Sequence, residues 1–140
     1  MQLFKKIIHK LFFPKPNYNN NLTTPKSFDE KYNEPGVFQY YKDGFSVQYD
    51  DFYERLLWNE ITELNVYKAD LGTTDRIEMD IVCGEKGFII SEDLPGWYQF
   101  VLKTKLIYPA IPGDWEDEIV HPAFATNWRN IYKKIDHNHY

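Results

Sequence analysis

The chain has a single cysteine among its 140 residues and none of the short motifs typical of common enzymes. Cys83 cannot form a disulfide within the chain, and a zinc site built on cysteines is excluded. It lies in the apolar run Ile81-Val82-Cys83, without a nearby histidine base, which favours a small buried side chain over a nucleophile. No Gly-x-Ser-x-Gly, phosphate loop or dinucleotide fingerprint is found. We therefore expect no catalytic residues, no cofactor, and a reducing, cytoplasmic location.

Basic charge is scarce outside the first residues. The net charge is −5, but residues 1–15 carry four lysines and no acid, so the remainder carries −9. Residues 50–118 contain sixteen acidic and six basic side chains. An acidic body argues against nucleic acid as the ligand, because phosphate contacts need a basic surface. It favours a basic protein partner, although acidity also serves solubility alone.

Aromatic residues are plentiful, at 18% of the chain, with eleven tyrosines among them. Some of these rings must form core, because each buries on the order of 150–250 Å². Tyrosine also suits a contact surface, since a rigid ring with a polar tip is ordered at low entropic cost. The composition thus predicts a packed domain that also offers aromatic side chains to a partner.

Residues 1–13 predict a short basic amphipathic helix. Apolar side chains recur at helical spacing, and Lys5, Lys6 and Lys10 fall on the other side. Such a helix is too short to span a bilayer. It would either touch an anionic membrane surface through the three lysines or pack its apolar face on the domain. Residues 14–35, with three prolines by residue 25, predict a linker or arm.

Residues 36–135 predict one α+β domain, and residues 136–140 a polar tail. Alternating apolar residues and turn signals such as Asp43-Gly44 predict strands at 37–41, 45–49, 52–58, 77–82 and 88–90. Residues 61–67 form either a strand or a single helical turn that leads into one. Ser91 or Asp93 is the expected N-cap of a helix of about three turns, with Pro95 in its first turn. Its apolar stripe comprises Trp97, Phe100, Val101 and Thr104. A second helix is expected from His121-Pro122, with Phe124, Trp128, Ile131 and Tyr132 on one face.

The strand-rich region and its helix resemble a known architecture. Gly44-Phe45, Leu57-Trp58-Asn59-Glu60-Ile61, Tyr67-Lys68-Ala69-Asp70-Leu71 and the run Ile90 to Trp97 carry the resemblance, which covers about residues 36–108. The pattern is similar to small bacterial proteins with a pleckstrin-homology-like fold, some of them immunity proteins of polymorphic or contact-dependent toxins. The resemblance implies an antiparallel meander forming a partly open barrel, capped by a C-terminal helix. It also implies a non-enzymatic protein that neutralises a basic toxin domain. The first hairpin turn lacks the basic cluster of a phosphoinositide-binding member.

The acidic segment after the first helix is the expected partner-binding site: Asp114, Trp115, Glu116, Asp117 and Glu118. It lacks the ligand spacing and central glycine of a calcium loop. It is either a solvated acidic surface or a landing site for lysine and arginine side chains. A tryptophan among four acids predicts an exposed anchor, whose truncation to alanine would weaken binding and leave stability unchanged.

Other polar residues have mainly structural interpretations. Glu92-Asp93 suits helix capping, and His137 with His139 does not make a metal site that we assign. Lys68, Asp70, Thr73, Asp75 and Arg76 form either a polar site or a charged loop. Trp97 and Trp128 are expected in the core. Two further functions stay open: a membrane-proximal adaptor using the N-terminal lysines, and a hydrolase using carboxylates in residues 70–76 or 114–118.

Overall fold

The structure is a computed structural model that describes residues 7–10, 33–72, 74–121 and 127–135. Strands dominate these residues, and two α-helices accompany them. The strands are β1 (Ile7–Lys10), β2 (Phe38–Tyr40), β3 (Gly44–Tyr49), β4 (Phe52–Leu57), β5 (Glu63–Asp70), β6 (Asp75–Cys83), β7 (Lys86–Ser91) and β8 (Trp128–Lys133). The helices are α1 (Trp97–Ile107) and α2 (Trp115–Val120), and a 3₁₀ turn covers Trp58–Glu60. The predicted α+β class is confirmed.

The described strands form two separate sheets rather than a closed barrel. One has the order β1-β7-β6-β5-β8, and the other has the order β2-β3-β4. All neighbours are antiparallel except β1, which runs parallel to β7 with Ile7 opposite Lys86. The two consecutive runs β2-β3-β4 and β5-β6-β7 confirm the predicted antiparallel pairing, but they belong to two sheets rather than to the one meander that the resemblance implies.

Side-chain alternation explains the positions of the central strands. Phe45 and Val47 on β3 and Met79 and Ile81 on β6 are fully buried, and each pair lies on one side of its strand. Ser46, within the first pair, and Glu78, next to the second, are also buried, at 4% exposure each. Two-residue turns join β3 to β4 and β6 to β7. Asp50 adopts a positive φ of 50° in the first turn, a conformation that aspartate tolerates better than most residues. The predicted strands and hairpin turns in this region are therefore confirmed.

The main core lies where the two sheets and α1 meet. Four rings pack there: the centroids of Phe38 and Phe100 are 4.6 Å apart, and those of Phe45 and Trp58 are 4.7 Å apart. The predicted stripe of Trp97, Phe100, Val101 and Thr104 on α1 is buried. The helix therefore covers the aromatic cluster and presents its other side outward.

The predicted cap of α1 is wrong. Ser91 ends β7, and the N-cap is Gly96, which has a φ of 93° and provides no side-chain cap. Pro35-Gly36 and Pro95-Gly96 pack backbone against backbone, with the Val37 N–H donating to the Pro95 carbonyl at 3.1 Å. A Cβ on Gly96 would lie 2.2 Å from the Pro35 carbonyl oxygen, so glycine fits the close approach and the positive φ. Long-range packing thus determines where α1 begins.

The predicted second helix is also misplaced. Residues 128–133 form β8, an edge strand paired with β5, and the helix occurs earlier, over the acidic residues of α2. Ile131 is buried, whereas Trp128 is 65% exposed, so the prediction of a core Trp128 is wrong. The four apolar residues have the spacing of one helix face, but pairing with β5 determines that the segment is a strand. Phe124 and residues 136–140 lie outside the described residues.

The N-terminal helix prediction is wrong over Ile7–Lys10, because these residues form β1. Parallel pairing with β7 supplies backbone hydrogen bonds, and the apolar pair Ile7-Ile8 has high strand propensity. Lys10 ends this strand opposite Ile89. Residues 1–6, including Lys5 and Lys6, and residues 11–32 lie outside the described residues, so a membrane contact stays a prediction.

Candidate functional site: an acidic groove between the helices

The acidic segment folds into α2, and its five predicted site residues differ in their exposure to solvent. Trp115 is fully buried and Ile119 is nearly so, because positions i and i+4 lie on one face of a helix. Asp117 and Glu118 point outward and are exposed. The prediction of Trp115 as an exposed anchor is therefore wrong: its indole attaches α2 to the core.

A groove of about 410 Å³ lies between α1 and α2. Asp114, Glu116 and Asp117 line one wall, and Glu92, from the β7–α1 connection, joins them. Glu118 does not line the groove; it forms an ion pair with Arg129 of β8. The groove therefore brings together three of the predicted site residues and Glu92, whose predicted role was helix capping.

The ammonium of Lys105 on α1 is bound by acceptors of the groove. Its Nζ donates to Glu116 Oε1 at 2.6 Å and to the Gly113 carbonyl at 2.8 Å. A carboxylate and a carbonyl converging on one ammonium are the groups that recognise a lysine or arginine side chain. Asp114 and Asp117 extend this acceptor set beyond the internal pair.

The pKa of the Glu92 carboxyl is raised above its usual range. Partial burial is the main cause, and Asp93 adds to it, while the Ile77 N–H bond and Arg76 oppose it. The Ile77 N–H donates to Glu92 Oε1 at 3.0 Å. This bond holds Glu92 against the start of β6 rather than at the helix terminus. Asp93 instead lies 3.8 Å from an Arg76 nitrogen.

The outward side of α1 adds apolar surface beside these carboxylates. Tyr98, Leu102 and Leu106 follow one another at intervals of four residues and are 39%, 41% and 77% exposed. Such spacing places them in one row along a helix. This second row, at i, i+4 and i+8, is visible in the sequence beside the inward stripe.

Backbone carbonyls at the C-terminal end of α2 are bound by side chains from other elements. Lys68, which is 2% exposed, donates to the Val120 carbonyl at 3.0 Å and lies 3.5 Å from Asp75. Asn127 donates to the carbonyls of Ile119 and His121, both at 2.9 Å. These bonds satisfy groups that a helix end leaves unpaired and fix α2 on the sheet.

The predicted polar cluster at the β5–β6 loop divides into separate structural contacts. Lys68 pairs with Asp75 beneath α2, and Asp70 Oδ1 accepts the Gly72 N–H at 2.8 Å. Arg76 binds Glu78, whose other carboxylate oxygen accepts the Tyr67 hydroxyl. Thr73 lies outside the described residues. The geometry favours the charged-loop interpretation, because these groups bind one another.

Other candidate ligands are dispersed. Within the described ranges, no group of three or more His, Cys, Asp or Glu side chains could hold a metal ion. His121 Nδ1 lies 3.1 Å from the Asp117 carbonyl, His9 is in β1, and His137 and His139 lie outside the described residues. Cys83 is partly rather than fully buried, and burial, Glu60 and Glu54 raise the pKa of its thiol to about 11.

Comparisons with known proteins add no relative. No family model, curated protein or solved structure matches the chain. The resemblance to pleckstrin-homology-like immunity proteins therefore stays a prediction. Separately, neither described helix is both long and apolar enough to cross a membrane.

The raised pKa of Glu92 predicts a pH-dependent effect of Glu92→Gln on stability. A carboxyl with a higher pKa in the folded state destabilises the fold once pH rises through the unfolded and then the folded pKa. Glutamine removes this cost and can still accept the Ile77 N–H. We expect Glu92→Gln to increase the free energy of unfolding, relative to wild type, more at neutral pH than below about pH 4.

Urea unfolding of both proteins at the two pH values measures this difference. Asp51→Asn is the control, because Asp51 is exposed at the β3–β4 turn and is not among the groups that shift the Glu92 pKa. An identical Glu92→Gln effect at both pH values would show that the carboxyl titrates normally in the folded protein.

Proposed function

We propose that this chain is a non-enzymatic protein-binding domain and that the groove between α1 and α2 contacts a basic protein partner. The carrying observation is the convergence of Glu92, Asp114, Glu116 and Asp117 beside an exposed apolar row on α1. Apolar contacts supply binding energy, and the carboxylates select cationic side chains. The resemblance to toxin immunity proteins gives the class of partner: a basic toxin domain.

Long-range electrostatics supports a basic partner. Beyond residue 15 the chain carries −9, which attracts a cationic protein before contact and increases the association rate. Near the groove, the Lys105–Glu116 pair is internally neutral, so Asp114, Asp117 and Glu92 supply its remaining negative charge. Steering of this kind weakens as salt is added, because the Debye length falls to about 8 Å at physiological ionic strength.

The attachment of α2 supports binding by a preformed surface. Trp115 anchors its inward side, and Lys68 and Asn127 hold its carbonyl end. A groove that is already ordered loses little conformational entropy when a partner docks. Asp75 is by contrast engaged with Lys68, and Arg76 with Glu78, which favours binding over a hydrolase that would use carboxylates in residues 70–76.

The finer fold assignment is part of this proposal. The two antiparallel meanders and the helix α1 that follows them support a pleckstrin-homology-like relationship. The parallel pairing of β1 with β7 is an addition to the meander that the resemblance implies. The proposed binding mode depends on the groove itself, whether or not the fold is pleckstrin-homology-like.

Neutralising the two outer carboxylates should weaken partner binding. We expect the double variant Asp114→Asn, Asp117→Asn to raise Kd about tenfold at low salt, mostly through a slower association rate. Glu116 is left intact because it also binds Lys105. The partner is first captured from extracts of the source organism with the wild-type chain. Its binding to each variant is then measured by surface plasmon resonance.

A matched control carries the same charge change away from the groove. Asp43→Asn with Asp51→Asn alters two exposed carboxylates at the turns of the three-stranded sheet. These changes should leave Kd within about twofold of wild type. If both double variants raise Kd equally, the partner responds only to the net charge of the chain. That result would contradict a specific contact at the groove.

A further inference from the structure

A cleft of about 720 Å³ lies between the two sheets, and it shares no lining residue with the groove. One wall is β4, whose alternation directs Phe52, Glu54 and Leu56 inward. The other wall is the β6–β7 hairpin, where Cys83 pairs with Lys86. Its volume lies within the range of small-molecule pockets, about 300–1,000 Å³.

Aromatic and aliphatic side chains form the inner part of this cleft. The rings of Phe52 and Phe88 are 5.4 Å apart and bridge the two sheets. Leu56 is buried beside them, and Cys83 adds a thiol that stays protonated at neutral pH because its pKa is about 11. An apolar group of a ligand would find matching surface here.

Carboxylates outnumber cations in the cleft. Glu54, Glu60 and Glu85 line it, and both Glu54 and Glu60 act electrostatically on the Cys83 thiol. Arg55 belongs to the outward face of β4, where its guanidinium lies 4.1 Å from the centre of the Tyr41 ring. Arg55 and Lys86 both line the cleft, so three carboxylates stand against two cations and the lining carries a net charge of −1.

From this arrangement we propose that the cleft binds a small organic cation: a primary amine carrying an aromatic or branched apolar group. The apolar group would pack against Phe52, Leu56 and Phe88. The ammonium would bind Glu54, because Glu60 already accepts the Leu57 N–H at 2.8 Å. An anionic ligand would face three carboxylates, and the described residues offer no group of three metal ligands. This site is independent of the proposed partner-binding groove.

Three probes of similar shape and different charge test the proposal on the full-length chain: 2-phenylethylamine, 2-phenylethanol and 3-phenylpropanoate. Each is titrated while amide chemical shifts are followed by NMR. We expect saturable shifts at the amides of Cys83, Gly87 and Phe88, with the amine binding about tenfold tighter than the alcohol. The carboxylate should bind most weakly.

Glu54→Gln tests the assigned ammonium partner. It should weaken amine binding about tenfold and leave alcohol binding unchanged. Glu118→Gln, the same substitution on α2, is the control and should change neither affinity. If Glu54→Gln does not fold, the affinities of the wild-type protein for the amine and the alcohol still test whether the cleft prefers a cation.

Several outcomes would overturn the proposal. Equal affinity for amine and alcohol would remove the role of the carboxylates. Tighter binding of the carboxylate would reverse the assigned charge preference. Absence of saturable shifts for all three probes, or amine-induced shifts confined to residues 114–117, would show that the cleft is not a binding site.

Discussion

Replacing Trp115 by alanine is expected to destabilise the protein by about 3–5 kcal/mol. The indole is fully buried within the core, at the first residue of α2. Truncation leaves a cavity that the surrounding side chains can refill only in part, and it detaches α2 from the sheet. Urea unfolding followed by circular dichroism gives the change in the free energy of unfolding.

Two other substitutions bracket this effect. Trp128→Ala removes an indole that is 65% exposed and should change stability by less than about 0.5 kcal/mol. Trp115→Phe should cost less than Trp115→Ala, because it keeps most of the volume. It also removes the indole N–H, which has no hydrogen-bond partner among the described residues. Equal effects of alanine at positions 115 and 128 would contradict the placement of α2.

Lys68→Met is expected to destabilise the protein by about 3 kcal/mol. Lys68 is 2% exposed, and its ammonium joins Asp75 to the last carbonyl of α2. Methionine fills similar volume, so the loss reflects the charge left on Asp75 and the unpaired Val120 carbonyl rather than a void. The partial exposure of Asp75, 19% at its side chain, places the expected loss at the lower end for a broken buried pair.

Lys133→Met is the matched control, since Lys133 is exposed on β8. It should alter the free energy of unfolding by less than about 0.5 kcal/mol. Amide hydrogen exchange adds a local measurement: Lys68→Met should accelerate exchange in α2 more than in β5 and β6. Uniform acceleration across these elements would mean that Lys68 supports the sheet and not the helix attachment.

The central strands were predictable because their signals are local. Alternation at Phe45 and Val47 and the turn at Asp50-Asp51 specify a hairpin without knowledge of its neighbours. The stripe Trp97, Phe100, Val101 and Thr104 likewise specifies α1. Its start at Gly96 depends on contact with Pro35-Gly36, about sixty residues earlier, so no local cap pattern could locate it.

The C-terminal elements were not predictable in the same way. In α2 only Trp115 and Ile119 are buried. Two apolar residues among acids give too weak a pattern to predict a helix of six residues. In β8 the apolar residues have the spacing of a helix, but the segment forms a strand because it pairs with the edge of β5. Both outcomes depend on tertiary contacts that override local propensity.

The candidate site was predictable in part. Asp114, Glu116 and Asp117 line the groove as members of the predicted acidic segment, while Trp115 and Glu118 serve the core and an ion pair. Glu92 joins the groove only because β6 binds it through the Ile77 N–H. The cleft between the sheets combines residues from β4 and the β6–β7 hairpin, which sequence proximity does not connect.

Hydrogen–deuterium exchange of the chain with and without its captured partner tests the proposed interface most directly. We predict that the partner slows exchange in residues 98–107 and 114–120 and leaves the β3–β4 hairpin unchanged. Protection confined to the three-stranded sheet or to β8, with the α1–α2 region exchanging as in the free chain, would contradict this account.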